Sequence, residues 1–140
     1  MITKFHLSLP CKDIEVTKKF YLEVLEAKLG RNTNNWIDIN LFENQITFTQ
    51  SGEFKFEFNN YRLGESILPS FHFGVIVSIE HFGELYSRLL KLNIGTTIKT
   101  TFMKDKIGEH LSFFVKDPNN YMIEFKCFKE VNETFKDIEK

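Results

Sequence analysis

The sequence predicts an α+β fold made of two βαβββ modules, with curved mixed sheets and the helices on their outer face. The first observation is that each half of the chain opens with strand-like alternation of apolar and polar residues and continues with helical periodicity, followed by three more strand-like segments. The second observation is a repeat, because His6 and His72 hold the same place in the two opening strands, about 66 residues apart. Internal duplication of one module accounts for both observations.

The first module is predicted over residues 1–50. Its first strand covers residues 2–9 and ends at Pro10. Asp13 then caps a helix that Gly30 ends, with an apolar stripe formed by Val16, Phe20, Tyr21, Val24 and Leu25. Asn-rich turns separate the other three strands, which are expected at residues 29–31, 36–41 and 45–50.

The second module is predicted over residues 71–129 and repeats this order. Residues 71–77 form its first strand, and Ser78 caps a helix with an apolar stripe formed by Phe82, Leu85, Tyr86, Leu89 and Leu92. Gly95 follows the helix, and the other strands are expected at residues 96–101, 108–116 and 121–128, with a turn at 117–120. Residues 51–70 form a linker that holds a short strand or a lid. Residues 130–140 form a charged tail, in which we expect a last helical turn.

Sorting the strand residues by parity separates two faces. We expect the helices to cover an apolar face formed by Phe5, Leu7, Leu9, Ile37, Ile39, Ile46, Phe48, Phe71, Phe73, Val75, Val77, Ile123 and Phe125. The opposite parity carries His6, Ser8, Trp36, Asp38, Asn40, Gln45, Thr47, His72, His110, Ser112 and Glu124. This polar face is either simply solvated or the inner wall of a site.

Composition narrows the classes of function. The 140 residues suit a single domain, and 18 Lys and Arg balance 19 Asp and Glu, so no net charge favours nucleic acid or an anionic membrane. Every apolar stretch is well short of the roughly 20 residues that span a bilayer. The first residues lack the pattern of a secretory signal, so we expect a cytoplasmic protein. Cys11 and Cys127 form no Cys-x-x-Cys pair and are expected to be reduced.

Two histidines and one carboxylate on the polar face suggest a metal site. His6 and His72 are repeat-related, and Glu124 lies in the last strand of the second module. If that face is concave, an ionised Glu124 is costly to desolvate alone, and a divalent cation offsets this cost. Two neutral imidazoles and one carboxylate leave coordination positions open, which suits catalysis by non-haem Fe(II), with Mn(II), Zn(II) and Ni(II) also feasible.

Several segments carry a family resemblance. They are Phe5-His6-Leu7, Phe71-His72-Phe73-Gly74-Val75, and Asp117-Pro118 leading to Ile123-Glu124-Phe125. With the paired βαβββ order, they resemble the vicinal oxygen chelate superfamily, which includes glyoxalases, bleomycin-resistance proteins, fosfomycin-resistance enzymes and extradiol dioxygenases. Residues 36–42, together with the segments at 71–75 and 117–125, look like one subgroup often labelled predicted extradiol dioxygenase. The resemblance implies that His6, His72 and Glu124 bind one divalent metal ion, with Fe(II) favoured.

Two departures from the family pattern bear on activity. Aligning the last strands of the two modules places Thr47 where glyoxalase I has its remaining carboxylate ligand, so glyoxalase I activity is disfavoured. Extradiol dioxygenases also have a Tyr shortly before the Asp-Pro turn, where this chain has Phe113, Phe114 and Val115. The lack of this Tyr puts true catechol cleavage in doubt.

Other polar-face residues are candidates with ordinary alternatives. His110 is expected either to act as a general acid or base in the site or to be an ordinary histidine on a surface strand. Ser8 orients a metal-bound water or the substrate, or is an ordinary strand hydroxyl. Arg31 binds an anionic substrate group, or forms an internal salt bridge with Asp38. Trp36 stacks on an aromatic substrate, or lies at a sheet edge or subunit contact. Asp38 and Thr47 complete the candidate substrate-binding set.

We therefore expect a metal-dependent, dioxygenase-like enzyme that binds two oxygen atoms of a small-molecule substrate. The alternative is a metal-free protein that sequesters a small molecule, as bleomycin-resistance proteins do. No nucleic acid or membrane partner is expected. A homodimer is expected because each short sheet has edges that a second chain can cover. The sequence leaves open whether His6 and His72 meet within one chain or across two.

Overall fold

Two four-stranded sheets organise the chain in a computed structural model, which describes residues 1–96 and 99–138. The first compact unit consists of Met1–Phe58 and Asp117–Tyr121, and the second consists of Asn59–Lys116 and Met122–Lys140. Each unit contains one mixed sheet with the same strand order. The predicted α+β class and the duplicated βαβββ order are confirmed.

The sheet of the first unit is built from strands β1 to β4. Their bounds are His6–Cys11, Lys28–Asn32, Trp36–Leu41 and Asn44–Gln50, and their order is β1-β4-β3-β2. Strand β1 runs parallel to β4, and the other neighbours are antiparallel. Phe42 and Glu43 turn the chain between β3 and β4 with φ of 49° and 68°. The Asn44 side chain stabilises this turn by donating to the carbonyls of Leu41 and Phe42.

Pro10 lies inside β1, so the prediction that it ends the strand is wrong. It pairs in register with Thr49, and the strand continues to Cys11. Strand β1 is at the edge of the sheet, where a proline nitrogen can face away from the neighbouring strand without breaking the ladder.

Helix α1 covers Ile14–Lys19 and continues into a π-helical turn at Phe20–Val24. Asp13 caps the helix, as predicted, by accepting a hydrogen bond from the Val16 amide at 2.9 Å. The buried stripe consists of Ile14, Thr17, Tyr21 and Leu25, and the predicted stripe residue Val16 is 54% exposed. Val16 is exposed because it lies between Ile14 and Thr17, which face the sheet. The helix ends before Gly30, and Glu26 reverses the chain with φ of 57°.

The turn at Asp117–Tyr121 belongs to the first unit, although the strands before and after it belong to the second. The buried Asp117 carboxylate accepts from the Tyr21 hydroxyl at 2.9 Å and from the amides of Asn119 and Tyr121 at 2.8 Å. The Asn119 side chain donates to Thr17 Oγ1 at 3.1 Å. Burial raises the pKa of the Asp117 carboxyl, although these hydrogen bonds oppose the rise.

The linker contains a β-hairpin. Strands β5 (Asn60–Leu63) and β6 (Ser66–Pro69) pair antiparallel, and Gly64 takes φ of 60° in the turn between them. The sequence predicted one short strand or a lid at residues 51–70. In the charged tail a single 3₁₀ turn forms at Val131–Glu133, in agreement with the predicted last helical turn.

The sheet of the second unit is built from strands β7 to β10. Their bounds are Phe73–Ile76, Thr100–Phe102, His110–Lys116 and Met122–Phe128, and their order is β7-β10-β9-β8. Strand β7 runs parallel to β10, as β1 does to β4. Where a strand is predicted at residues 96–101, the structure has an isolated β-bridge from Thr96 to Val115 and then strand β8. Thr97 and Ile98 lie outside the described residues.

Helix α2 covers Ile79–Lys91. The Ser78 hydroxyl caps it, as predicted, by accepting from the His81 amide at 3.2 Å. Phe82, Leu85 and Leu89 are buried, whereas the predicted stripe residue Leu92 is 46% exposed because the helix has already ended there. Asn93, with φ of 57°, reverses the chain before Gly95.

The helix-facing side of each sheet forms a core. Tyr21 packs on Phe48 in the first unit with ring centroids 4.9 Å apart, and Phe82 packs on Phe113 in the second at 5.1 Å. The predicted apolar face is buried at Ile37, Ile39, Ile46, Phe48, Val77, Ile123 and Phe125 and half-buried at Leu7, Leu9, Phe71, Phe73 and Val75. Phe5 is 60% exposed, against the prediction, because it precedes β1.

Two further findings concern the described residues. Cys11 and Cys127 are both free and buried, as the sequence predicts. Among residues 1–96 and 99–138, no helix has the length and apolar character needed to cross a membrane.

Candidate functional site

His72 and Glu124 face each other in the second unit. His72 Nε2 lies 3.9 Å from Glu124 Oε2. The other ring nitrogen, Nδ1, lies 2.9 Å from the carbonyl oxygen of Pro69. A carbonyl only accepts hydrogen bonds, so Nδ1 carries the proton and a neutral ring has its lone pair on Nε2. Two atoms that carry lone pairs therefore lie 3.9 Å apart, an arrangement that a shared cation stabilises.

Gly74 allows the strands that carry this pair to approach closely. It lies two residues after His72 and is the register partner of Glu124 in the parallel pair of β7 and β10. A Cβ atom at Gly74 would stand 1.7 Å from the Glu124 carbonyl oxygen. Any side chain here would push β10 away and move Glu124. The sequence signal for this role is a glycine in the middle of a predicted strand, and sequence reasoning missed it.

Phe114 and Lys126 complete the surroundings of Glu124. Phe114 is the register partner of Glu124 in β9, and its ring meets the His72 imidazole edge-on at 5.2 Å. The aromatic group beside the pair is therefore a hydrocarbon with no hydroxyl. The Lys126 ammonium lies 3.2 Å from Glu124 Oε1. Sequence reasoning missed Lys126, although its parity with Glu124 placed it on the same face.

Ser112 lies on this face as well, directly across from Lys126 in the register of β9 and β10. Its side chain is buried, and Oγ has no hydrogen-bond partner among residues 1–96 and 99–138. The polar parity predicted for Ser112 is therefore observed, but its hydroxyl is covered and unsatisfied.

His6 and its neighbours show the matching arrangement in the first unit. His6 begins β1 and is exposed, and two residues later Ser8 pairs with Thr47 of β4. In the second unit, the residue two after His72 pairs with Glu124. The register therefore places Thr47 at the position that Glu124 holds, so a hydroxyl stands where the other module has a carboxylate.

Asp38 is buried at the centre of a polar network in the first unit. Its carboxylate accepts from Thr47 Oγ1 at 2.7 Å, from Gln45 Nε2 at 3.1 Å and from Arg31 Nε at 2.6 Å. Burial opposes ionisation, but the hydrogen bonds from Thr47 and Arg31 and the charge of Arg31 prevail and lower the pKa of Asp38. The Arg31 guanidinium also lies over the Trp36 ring at 5.2 Å. The internal salt bridge considered for Arg31 is thus present.

A cavity of about 430 Å³ opens beside this network. Its lining brings together three of the predicted site residues, His6, Arg31 and Asp38. Ser8, Trp36 and Thr47 are absent from its lining, although Thr47 and Trp36 contact Asp38 and Arg31. The volume is within the range of small-molecule sites.

His110 is placed away from the His72–Glu124 pair. It is four residues before Phe114 in β9, a separation of about 13 Å along a strand. Its Nδ1 is bonded to the Gly108 carbonyl at 2.8 Å, and its ring stacks on Phe102. It lines a separate cavity of about 540 Å³ at the start of α2.

The predicted metal ligands are divided between the units. His6 belongs to the first unit, and His72 and Glu124 belong to the second. Across residues 1–96 and 99–138, no group of three or more His, Cys, Asp or Glu side chains is close enough together to hold a metal ion. The donor pair of Nε2 and Oε2 in the second unit nevertheless has the chemistry that a divalent cation prefers.

Comparison with known proteins identifies the family. Residues 5–125 match the model of the Glyoxalase/Bleomycin resistance protein/Dioxygenase superfamily. The chain belongs to this superfamily. No curated protein sequence matches the chain.

Solved structures of the superfamily share the fold. A glyoxalase/bleomycin resistance protein/dioxygenase from Alicyclobacillus acidocaldarius is 27% identical with a TM-score of 0.79, and the match covers 95% of this chain and 96% of that one. The genomically encoded fosfomycin resistance protein of Listeria monocytogenes is 16% identical with a TM-score of 0.67, covering 95% and 98%. Lactoylglutathione lyase from Agrobacterium tumefaciens is 10% identical with a TM-score of 0.62, covering 89% and 92%. At these identities, the last two show the fold alone.

Two side chains adjoin Glu124 in the second unit. The phenylalanine at position 114 and the ammonium of Lys126 are the neighbours that a reaction at His72 and Glu124 would meet. The match to the superfamily leaves the extradiol dioxygenase subgroup as a proposal.

Proposed function

We propose that this chain is a metal-dependent enzyme that acts on a small molecule through two of its oxygen atoms. The observation that carries the proposal is the approach of His72 Nε2 to Glu124 Oε2 at 3.9 Å, with Nδ1 of the same ring bonded to Pro69. A backbone carbonyl on the far nitrogen is the usual support of a metal-binding histidine, since it fixes the tautomer and the ring orientation. His6, from the first module of the same chain or of a second chain, is the proposed third ligand.

One divalent cation per site is proposed, with Fe(II) favoured and Mn(II), Zn(II) or Ni(II) as alternatives. When bound, such an ion polarises the oxygen atoms of the substrate and stabilises negative charge on them. The chain's own residues orient the reactants: Pro69 fixes the His72 ring, and the Asp38 network holds Thr47 and Arg31 in place. Ser8 and Trp36 are proposed contacts for the substrate. We assign His110 no role because of its distance along β9.

The finer proposal is a dioxygenase-like reaction in the cytoplasm. Phe114 offers no hydroxyl beside His72, so acid or base assistance has to come from the substrate or from another group. This favours a substrate whose reacting oxygen atoms ionise easily, such as one with two neighbouring hydroxyl or carbonyl groups.

The second candidate is a metal-free protein that sequesters a small molecule. Lys126 favours it, because an ammonium 3.2 Å from Glu124 already supplies the carboxylate with a positive partner. Such a protein would use the cavities without chemistry at His72.

Metal analysis of full-length protein purified without a polyhistidine tag tests the two candidates. We expect near-stoichiometric metal in the wild-type protein and its loss in Glu124→Gln and His72→Gln. Glu130→Gln, an exposed carboxylate in the charged tail, is the matched control and should keep the metal. Protein that stays free of metal when Fe(II), Mn(II), Zn(II) or Ni(II) is added would instead support sequestration.

A further inference from the structure

We propose that the Lys126 ammonium is an internal cation that neutralises Glu124 in the metal-free protein and competes with metal for this carboxylate. The ion pair is a property of the chain alone. The competition rests on the proposed function, and the experiment below separates the two.

The geometry of β10 joins the two groups. Lys126 follows Glu124 by two residues, so both side chains project from the same face of the strand. Nζ lies 3.2 Å from Oε1, while the other carboxylate oxygen, Oε2, faces His72 at 3.9 Å. Each oxygen atom of Glu124 is thus directed to a different partner.

Burial makes this pair more than an ordinary surface contact. The Glu124 side chain is 12% exposed and that of Lys126 is 28% exposed. A carboxylate with so little contact with water is costly to keep ionised without a positive neighbour. Lys126 provides that neighbour, so the second module does not depend on metal to hold a charged Glu124.

The same contact opposes metal binding. A divalent cation on Oε2 would stand within several ångströms of the ammonium on Oε1, and like charges at that range repel strongly where water is partly excluded. The ammonium also offsets part of the negative charge of the carboxylate that would attract the metal ion. Both effects weaken the affinity for metal, so removal of the ammonium should strengthen it.

Calorimetric titration of full-length, chelator-treated protein with Mn(II) tests the competition. Lys126→Met keeps the length of the side chain and removes its charge, and we expect its Kd for Mn(II) to fall about tenfold. Lys126→Arg keeps the charge and should stay within about twofold of wild type. Lys129→Met removes one positive charge from an exposed position in the same module and should also stay within about twofold. An unchanged or higher Kd in Lys126→Met overturns the competition.

Thermal melting of the metal-free proteins tests the ion pair without any metal. Lys126→Met should lower the Tm of the wild-type protein by several degrees and should have little effect in the Glu124→Gln background. An equal effect in both backgrounds shows that the lysine does not act through Glu124. If neither wild type nor Lys126→Met binds Mn(II), the competition fails for this ion, the metal analysis with all four ions decides the proposed function, and the melting data still decide the role of the ion pair. If wild type binds Mn(II) and Lys126→Met binds it no better, the proposed function survives and the competition fails.

Discussion

Ser112 has the least satisfied side chain among the described residues. Its hydroxyl is buried on the face that carries Glu124 and has no hydrogen-bond partner in the part of the chain that the structure describes. Burying a hydroxyl without a hydrogen bond costs about 1–3 kcal/mol in proteins. Because the Ser112 hydroxyl is covered by protein, this cost lowers the stability of the folded chain.

Ser112→Ala should therefore raise the free energy of unfolding by about 1 kcal/mol in urea denaturation. The matched control is Ser8→Ala, the same change at an exposed hydroxyl in β1, which should alter stability by less than about 0.5 kcal/mol. A less stable Ser112→Ala protein would show that the hydroxyl finds a partner in solution.

Asp117 and Asp38 respond to pH in opposite ways. Burial raises the pKa of Asp117, so the folded state holds this proton more tightly, and the contribution of the group to stability declines as the pH rises through its folded pKa. The pKa of Asp38 is lowered, so its contribution is present above the ordinary pKa of an aspartate and is lost as the pH falls through the lowered value.

Tyr21→Phe tests the Asp117 site. The change removes a buried hydrogen bond to an ionised carboxylate, and we expect it to lower the free energy of unfolding by about 2 kcal/mol at neutral pH. The loss should shrink as the pH falls from neutral through the raised pKa of Asp117 into the acidic range, because a protonated Asp117 is a weaker acceptor. Urea denaturation at neutral and acidic pH measures this. Tyr61→Phe, at a ring that is 42% exposed, is the control, and a loss in Tyr21→Phe that is independent of pH would contradict the assignment.

At the level of elements, Gly74 and Gly83 make a contrasting pair. A Cβ at Gly74 would collide with the backbone of Glu124, whereas a Cβ at Gly83 in α2 meets no atom within 4 Å. Backbone cannot move aside as the end of a flexible side chain can. The parallel pair of β7 and β10 therefore requires glycine at position 74, and the helix does not require it at position 83.

Gly74→Ala should lower the free energy of unfolding by more than about 3 kcal/mol and weaken metal binding by displacing Glu124. Gly83→Ala should raise stability by about 0.5–1 kcal/mol, because alanine is the better helix former. Chemical denaturation of the two variants side by side measures both effects. A Gly74→Ala protein as stable as wild type would refute the close approach of the two strands.

The elements differ in how far their sequence predicts them. The helix starts at Asp13 and Ser78 are encoded by local hydrogen bonds and are predicted correctly. The helix ends are predicted less well. Glu26 and Asn93 reverse the chain in the left-handed conformation, whereas the prediction relied on glycine to mark this conformation. The parity of β10 predicts that Glu124 faces the polar side, but the contact with Lys126 depends on side-chain conformations that no pattern specifies.

At the level of the whole molecule, we predict a homodimer, since each sheet ends in edge strands that a second chain can cover. Light scattering at micromolar concentration should give twice the chain mass, and a monomer mass would refute the prediction.

Mixing His6→Ala chains with Glu124→Ala chains then tests whether the metal ligands of one site come from one chain or from two. Recovery of metal binding means that two chains share a site, and no recovery after proven subunit exchange means that each chain builds its own.

The turn at Asp117–Tyr121 has a consequence for the history of the chain. Its hydrogen bonds to Tyr21 and Thr17 complete the first unit with residues from the second repeat. A gene fragment that ends at Phe58 would therefore encode the first unit without the turn that Tyr21 and Thr17 bind. The two repeats can diverge along their sheets, as Thr47 and Glu124 have, whereas this turn is constrained by its contacts with Tyr21 and Thr17 of the first repeat.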